Sequence, residues 1–279
     1  MCNRALQYGF KLLMSDEPTT TRAKLRIHLQ REGVPGVIAW AWSSFLARTV
    51  GRIRDAKAPK LESMLSAGGR KERFTKIYES NYWGSRESRS GIGSQVKVAA
   101  VFARDLECFL ADRGIRHLFD APCGDFNWMR TVRFPDGMRY TGGDIVSSLI
   151  AKLNTENCRQ DVAFIEFDLT SDPFPPANAW LCRQCLFHLS IADVKSVLEN
   201  FAKSEVEYAL LTFHDRVEEN LDIETGAWRE IDLRLEPFGL PEPELRLRES
   251  DSDSNGEYVG VWPRTAIAGA TSTWFGGAK

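Results

Sequence analysis

Short apolar runs alternate with helix-like spacings of apolar residues over most of this chain from about residue 95 onward. Five of the runs predict β-strands, and they are Ile115–Asp120, Arg139–Asp144, Val162–Phe167, Ala179–Cys182 and Glu207–Phe213. Because helical segments separate successive strands, the pattern predicts an α/β fold with a doubly wound, mostly parallel sheet and helices on both faces.

Four helices are expected around these strands. A helix over residues 95–113 ends at Gly114, which is a typical C-terminal cap. A second follows the first strand from about Phe126, and Ser147 is expected to cap a third. A capping-box-like segment, Ser190–Asp193, predicts the start of the fourth. The expected apolar face of that fourth helix consists of Val194, Leu198 and Phe201.

The pattern changes after the fifth strand. Apolar runs at Arg229–Leu235 and Tyr258–Trp262 predict two later strands, whereas the proline-rich residues 236–243 and the polar residues 249–257 predict irregular connections. The residues after Pro263 are rich in Gly, Ala, Ser and Thr and are expected to be loose. We therefore expect a principal domain over residues 71–264 and a flexible tail over residues 265–279.

The first 70 residues differ from the rest in charge. Residues 1–76 hold 15 Lys and Arg against 6 Asp and Glu, so this part is about +9, whereas the whole chain is −2. Helical periodicity over residues 22–54 brings Trp42 and Phe45 close to Arg48. Such a segment suits either an ordinary packed helix or contact with an anionic membrane surface. We expect a helical N-terminal extension over residues 1–70, with a hinge at residues 67–69.

Composition places the chain among globular proteins. It has 279 residues, of which 43% are hydrophobic and 27% charged, enough for one sizeable core. Six cysteines without a regular framework predict reduced thiols and a cytoplasmic protein, peripheral to the membrane if residues 22–54 bind lipid. The one CxxC pair, Cys182 and Cys185, lacks a second pair, so no metal site is expected.

Three aspartates fall at the ends of successive predicted strands, where doubly wound sheets bind their ligands. Asp120 ends the first strand, and Asp144 ends the second with two acceptor oxygens that suit a pair of ribose hydroxyls. Asp168 follows the third. The turn after Asp120 retains Gly124 but has Pro122, which offers no N–H. Because a pyrophosphate needs several backbone donors, this turn disfavours a dinucleotide.

Several motifs together resemble class I S-adenosylmethionine-dependent methyltransferases, and within them a bacterial group with a DAPCGDFNWM-type turn. The motifs keep their order over residues 74–263, and they are Asn81–Gly91, Leu118–Met129, Gly142–Ile145, Cys182–Ser190, Asn220–Arg229 and Pro237–Pro243. The resemblance implies a Rossmann-like methyltransferase sheet with S-adenosylmethionine as cofactor. Gln184 departs from the group, many members of which have an aspartate there, so a catalytic carboxylate is not expected at this position.

The resemblance also implies the cofactor contacts. Asp120 is expected near the methionyl ammonium, Asp144 at the ribose, and Asp168 with the Leu169 backbone at the adenine. The segment containing Trp83 and Arg89 is expected to be a lid, with an arginine paired to the methionyl carboxylate. The expected cofactor-binding residues are Trp83, Arg89, Asp120, Pro122, Gly124, Asn127, Trp128, Asp144, Ile145, Asp168, Leu169 and Cys182.

For catalysis we expect His214, His188 and Arg183, with His214 favoured over His188 as the base because the fifth strand should deliver it to the rim of the pocket. A neutral histidine suits removal of a proton from a hydroxyl acceptor. The expected acceptor is a small molecule or a glycan. A nucleic-acid methyltransferase and a non-catalytic cofactor-binding or scaffold protein remain the alternatives. The strand ending at Cys182 lacks the Asn/Asp-Pro-Pro-aromatic run that holds a flipped amine, which disfavours the nucleic-acid alternative.

Overall fold

The structure is a computed structural model that describes residues 66, 68–83, 85–250 and 256–274. Contacts divide the chain into two units, residues 1–60 and residues 61–279, and the described residues belong to the second unit. The helix and membrane contact expected within residues 22–54 therefore lie outside the described residues. No helix of the described part is long and apolar enough to span a bilayer.

Seven strands form one sheet in the order β3-β2-β1-β4-β5-β7-β6. The first five strands are parallel, while β7 runs antiparallel to both β5 and β6. The strands are β1 (His117–Asp120), β2 (Arg139–Asp144), β3 (Val162–Glu166), β4 (Ala179–Cys182), β5 (Tyr208–His214), β6 (Leu245–Arg248) and β7 (Glu257–Pro263). The order of strands in the sheet reverses between β1 and β4. The connections that follow these two neighbouring strands therefore run in opposite directions, which leaves a crevice at the carboxyl ends of the two strands.

Helices cover both faces of this sheet. They are α1 (Arg70–Glu79), α2 (Val96–Asp112), α3 (Ser147–Glu156), α4 (Ile191–Ala202) and α5 (Arg264–Thr273). Apolar side chains of α2 and α3 pack with Leu118 and Leu181 in one core cluster, whereas those of α4 and α5 pack with Phe119 and Trp180 in another. Neighbouring residues of one strand thus face opposite helical layers, which is why Leu118 and Phe119 of β1 and all four residues of β4 are apolar.

The expected α/β class and doubly wound sheet are confirmed. The five predicted parallel strands agree with the observed strands to within two residues at every end, and the strand expected at Tyr258–Trp262 is β7. The cap expected at Ser190 is confirmed, because its side chain accepts a hydrogen bond from the Asp193 N–H at 3.1 Å. Gly114 follows α2 with a φ of +61°, as expected for a glycine that ends a helix.

Two predicted elements after β1 are wrong in detail. The helix expected from Phe126 is reduced to a 3-10 turn at Met129–Thr131. Phe126 has a φ of +56°, in the left-handed region, and that conformation cannot continue a right-handed helix. Ser147 is the first residue of α3 rather than its cap, and the capping position is held by Val146, whose N–H donates to Asp144.

The C-terminal expectations need larger corrections. Residues 229–235 form no strand, because the Asn220 side chain accepts from the Asp232 N–H at 2.9 Å and donates to the Asp232 carbonyl at 2.8 Å. A side chain therefore satisfies backbone groups that a strand partner would need. The strand β6 was not predicted. The loose tail is also wrong for residues 264–273, which form α5 with Ile267 fully buried. The division into domains at residue 70 stays a prediction.

Candidate cofactor and acceptor site

One cavity opens at the carboxyl ends of the parallel strands, at the crevice between β1 and β4. It encloses about 1050 Å³, a value that includes open solvent at its mouth. Most of the residues expected at the site line it. They are Trp83, Asp120, Pro122, Gly124, Trp128, Asp144, Ile145, Asp168, Leu169, Arg183 and His188.

Four expected site residues do not line the cavity. Arg89 is exposed and places its guanidinium 5.8 Å from the ring centre of Tyr78. Asn127 is occupied by hydrogen bonds to other protein groups, and Cys182 is fully buried in the core. His214 is buried beside β7. The pairing of Arg89 with a methionyl carboxylate thus has no support in the geometry.

The turn after β1 is built around Asp144. Its carboxylate accepts from the Gly124 N–H at 3.1 Å and from the Val146 N–H at 3.0 Å, which fixes it between the turn and the start of α3. Burial raises the pKa of Asp144 to about 6, although the backbone N–H groups of Val146 and Gly124 oppose the shift. Each oxygen takes one of these bonds, and a carboxylate oxygen can accept a second, so both keep capacity for a ligand hydroxyl.

Asp120 forms the floor of the cavity. It is 3% exposed, and the hydroxyl of Tyr140 donates to it at 2.6 Å. Burial raises the pKa of Asp120 to about 7, while the Tyr140 hydrogen bond and the charge of Arg183 partly oppose the shift. A carboxyl group with a pKa near neutrality ionises readily when a cation arrives beside it. Asp120 is therefore suited to hold a ligand ammonium group.

Asp168 is held by a partner that the sequence did not suggest. Arg70, the first residue of α1, donates to Asp168 at 3.1 Å and to Asp193 at 3.0 Å, and it lines the cavity. Burial tends to raise the pKa of Asp168, but hydrogen bonds from Thr170 and Arg70 outweigh it and lower the pKa. Asp168 is thus an ionised acceptor at the cavity wall. The only sequence signal for Arg70 is that it is a basic residue at the start of a helix, directly after Gly68-Gly69.

Residues 85–95, hereafter the strap, cross the turn after β1. Asp125 of that turn accepts from the Ser88 hydroxyl and the Arg89 N–H, both at 2.9 Å. The Asp125 N–H donates in return to the Ser90 hydroxyl at 2.9 Å. The absence of a side chain at Gly124 permits this approach, because a Cβ there would lie 2.4 Å from the Ser90 oxygen. The strap therefore covers the turn, and its role as a lid over a cofactor stays a prediction.

Asn127 and Glu87 add a second contact between the strap and the turn. The Asn127 amide donates to Glu87 at 2.8 Å and to the Ser94 carbonyl at 3.0 Å, and Glu87 also accepts from the Val96 N–H at 2.7 Å. Asn127, expected to bind cofactor directly, instead ties the turn to the strap, and Glu87 ties the strap to the start of α2.

Arg183 is a structural cation at the cavity wall. Its Nε and Nη2 donate to Glu249 at 3.0 and 2.6 Å, and its Nη1 donates to the Gly93 carbonyl of the strap at 3.0 Å. The rings of Phe102 and Trp128 lie 5.2 and 5.0 Å from the guanidinium carbon. Because a guanidinium does not lose its proton in proteins, Arg183 positions the strap rather than moving a proton.

Gln184 lines the cavity beside Arg183 in a left-handed backbone conformation, with a φ of +56°. Its amide donates to Glu257 at 2.6 Å. Burial, with repulsion from Glu249, raises the pKa of Glu257 to about 7. Since a side-chain amide has no basic nitrogen, Gln184 cannot replace a catalytic carboxylate.

The two candidate histidines differ in position. His188 lines the cavity, with its ring centre 5.4 Å from that of Trp83. His214 pairs with Glu257 across the sheet, is 5% exposed, and accepts from the Ile231 N–H at 3.3 Å through Nδ1. The expectation that β5 delivers His214 to the rim of the pocket is therefore not met, because β7 and the Ile231 backbone cover that strand end. Of the two histidines, His188 lines the cavity and His214 does not.

Comparisons with known proteins agree with this architecture. No protein-family model and no curated protein matches the chain. Among solved structures, it is similar to PigF with S-adenosylhomocysteine, at 14% identity over 77% of this chain and 72% of that one, with a TM-score of 0.52. It is also similar to magnesium protoporphyrin IX methyltransferase of Synechocystis PCC 6803 with bound S-adenosylmethionine, at 11% identity over 71% and 99% of the two chains, with a TM-score of 0.51.

These likenesses establish the fold. The seven-stranded, mostly parallel sheet with helices on both faces is the Rossmann-like fold of class I methyltransferases. The chain is also similar to human N-acetylserotonin methyltransferase, with a TM-score of 0.48, and it spans 57% of the length of that protein.

Proposed function

We propose that this chain transfers a methyl group from S-adenosylmethionine to a hydroxyl oxygen of a small-molecule or glycan acceptor. The observation that carries the proposal is the convergence of Asp120, Asp144, Asp168 and the turn at Gly124 on one cavity at the switch point of a methyltransferase fold. The neighbouring structures that contain the cofactor or its demethylated product support the choice of ligand. The motifs shared with the DAPCGDFNWM-type bacterial group give the same assignment.

The chemistry of the lining fits this cofactor. Ionised Asp120 would attract the methionyl ammonium, and the two oxygens of Asp144 would accept from the ribose hydroxyls. Asp168 would accept from the adenine amino group while Leu169 meets the ring. The apolar side chains of Ile145 and Leu169, at the same wall, are suited to the faces of a purine. When bound, S-adenosylmethionine supplies an electrophilic methyl group on a sulfonium, which needs no metal ion.

The protein contributes alignment and a proton acceptor. His188 lies on the cavity wall, where its imidazole would take the proton that the acceptor oxygen loses as it is methylated. The strap, held by Asp125 and Arg183, would exclude water from the cavity. Transfer then depends on holding the acceptor oxygen in line with the sulfur–methyl bond.

A screen for methyl transfer tests the proposal. Purified full-length protein is incubated with cell extract and S-adenosylmethionine labelled in the methyl group, and extracted small molecules and glycans are separated and counted. Label in a small-molecule or glycan fraction that depends on the protein supports the proposal. Label confined to nucleic acid would favour the alternative enzyme class. Cofactor binding with no transfer to any fraction would favour the non-catalytic alternative, which the amide at Gln184 keeps open.

A further inference from the structure

A four-residue segment, Gly226–Arg229, holds the 3-10 turn at Leu186–His188 that presents His188 to the cavity. The Gly226 N–H donates to the His188 carbonyl at 2.7 Å, and the Arg229 N–H donates to the Phe187 carbonyl at 3.1 Å. The segment lies in the Asn220–Arg229 motif, to which neither the fold nor the cofactor cavity assigns a role. Its backbone fixes the position of the turn.

The same segment also fixes which nitrogen of His188 carries the proton. The Nδ1 atom lies 2.7 Å from the Ala227 carbonyl oxygen. Because a carbonyl can only accept, Nδ1 must carry a hydrogen in this contact. The neutral ring then has its lone pair on Nε2, and His188 lines the cavity.

Arg229 lies behind this turn in an unusual environment. It is 6% exposed, and within the described ranges its side chain makes one hydrogen bond, a long one of 3.5 Å from Nη1 to the Leu186 carbonyl. Among the described residues, its buried Nε and Nη2 atoms have no hydrogen-bond partner. A buried guanidinium that lacks hydrogen-bond partners lowers the stability of a protein, so we expect Arg229 to have a functional role at this position.

In the part of the chain that the structure describes, no carboxylate forms an ion pair with Arg229. Asp222 is the acid whose field acts on Arg229, but its Oδ1 accepts from the backbone N–H groups of Ile191 and Ile223, each at 2.8 Å. The groups that pack on the other sides of the His188 ring are the uncharged rings of Trp83 and Phe187. The charge of Arg229 therefore acts on His188 without a compensating charge at the ring.

We infer that Arg229 is a positioning residue that, together with the Ala227 carbonyl, keeps His188 neutral and in the Nδ1–H tautomer, so that its Nε2 lone pair is available to a proton of the acceptor. This inference deepens the proposed function and rests on it for the identity of the acceptor. A positive charge behind the ring opposes formation of an imidazolium cation in the absence of acceptor. The ring then begins each reaction cycle as a proton acceptor.

The electrostatics of the site agree with this role. Burial is the main cause that lowers the pKa of His188 to about 4; the hydrogen bond to Ala227 opposes the shift, and the charge of Arg229 adds to it. His188 is therefore neutral over the whole range above about pH 4, and only the neutral ring can accept a proton.

Nitrogen NMR of the full-length protein with ¹⁵N-labelled histidine tests the inference without an acceptor. The ring signals of His188, assigned by their loss in His188→Gln, should report the Nδ1–H tautomer at neutral pH and protonation only near pH 4. Arg229→Met should raise the midpoint of this titration by roughly one pH unit, the scale on which one neighbouring charge acts. Arg229→Lys, which keeps the charge, should leave the midpoint close to wild type.

Stability separates this role from an ordinary structural one. Arg229→Met replaces an unpaired buried charge with an apolar chain of similar length, so its Tm should equal or exceed that of wild type. Arg229→Gln is a second neutral variant in case the methionine does not pack, and it should raise the midpoint in the same direction. An unchanged midpoint in both neutral variants, or an Nε2–H tautomer in the wild type, would overturn the inference.

Calorimetry with S-adenosylmethionine on the same samples separates this inference from the proposed function. If the wild type fails to bind the cofactor, the proposed function is wrong, and the NMR titration still decides whether Arg229 controls His188. If the cofactor binds while the neutral variants leave the His188 titration unchanged, the inference alone is wrong.

Discussion

The hydroxyl of Tyr140 donates a 2.6 Å hydrogen bond to Asp120 at the floor of the cavity, and both side chains are almost completely buried. This bond favours the ionised carboxylate and so offsets part of the effect of burial, which raises the pKa of Asp120 to about 7. The pair therefore sets the pH at which the floor of the cavity becomes negative. Binding of a cationic ligand group at this position therefore depends on the ionisation of Asp120.

The first prediction concerns this pair. Affinity for S-adenosylmethionine should rise with pH up to about 7, because the ammonium prefers ionised Asp120. Tyr140→Phe removes a hydrogen bond that lowers the pKa of Asp120, so the rise should move to higher pH. Calorimetric titrations at a series of pH values measure both effects. An affinity that is independent of pH in wild type and variant would argue against an ammonium at Asp120.

The second prediction concerns the stability of the protein without cofactor. The pKa of Asp120 is raised from 3.8 to about 7 in the folded state, so the folded chain binds more protons than the unfolded chain between these values. The free energy of unfolding should therefore fall as the pH rises from about 4 to about 7. Asp120→Asn should make this dependence shallower in urea unfolding curves, leaving the part due to Asp144 and Glu257, whose pKa values are raised to about 6 and about 7. A dependence as steep as that of wild type would place its origin elsewhere.

The third prediction concerns the ribose contact. Asp144→Ala should weaken cofactor binding by about 1–3 kcal/mol, because the ribose hydroxyls lose a charged acceptor inside the cavity. Asp161→Ala is a matched control, because Asp161 precedes β3 at the opposite end of the strands and its carboxylate accepts from the exposed side chain of Arg159. This variant should bind the cofactor with wild-type affinity. Equal affinities for wild type and Asp144→Ala would remove Asp144 from the cofactor site.

The fourth prediction compares the two histidines. His188→Ala should lower methyl transfer by about 10²–10⁴-fold at nearly unchanged cofactor affinity, which is the usual effect of removing a general base. His214→Ala should retain most of its activity and lose thermal stability instead, since its ring is bonded to the Ile231 backbone. The measurements are single-turnover rates with the acceptor from the screen, and Tm. A rate loss confined to His214→Ala would restore the preference derived from the sequence.

The fifth prediction concerns the strap. Asp125→Ala removes the carboxylate that accepts from Ser88 and Arg89, so the strap should open more often. Hydrogen exchange of residues 85–95 should become faster, and the cofactor should dissociate about tenfold faster or more, the scale of a lost charge-assisted hydrogen bond. Asp112→Ala, at the far end of α2, serves as the control and should change neither rate. Unchanged exchange in Asp125→Ala would show that these bonds do not hold the strap.

The sequence predicted those parts of the site that depend on local pattern. The strands end where their apolar runs end, and one topological rule then brings Asp120, Asp144 and Asp168 together at one edge of the sheet. The role of Arg70 was not predicted, because its contact with Asp168 spans 98 residues and produces no periodic pattern in the sequence. The contact of Ser88 with Asp125, across 37 residues, is of the same kind.

The expectation that His214 lies at the rim of the pocket failed for a similar physical reason. The apolar run of β5 and its length were predictable, but its antiparallel pairing with β7, which covers its end, was not. His214 lies opposite Glu257 of β7, so a residue expected at an open rim is enclosed. His188 gains its place from the segment Gly226–Arg229, about 40 residues later in the chain, whose packing no pattern of spacing reveals.

Isothermal titration of the full-length protein with S-adenosylmethionine tests the central claim most directly. We predict that one molecule binds per chain, that S-adenosylhomocysteine competes with it, and that Asp144→Ala weakens the binding while Asp161→Ala does not. Absence of binding at millimolar cofactor, or equal binding by both variants and wild type, would contradict the assignment of this cavity to S-adenosylmethionine.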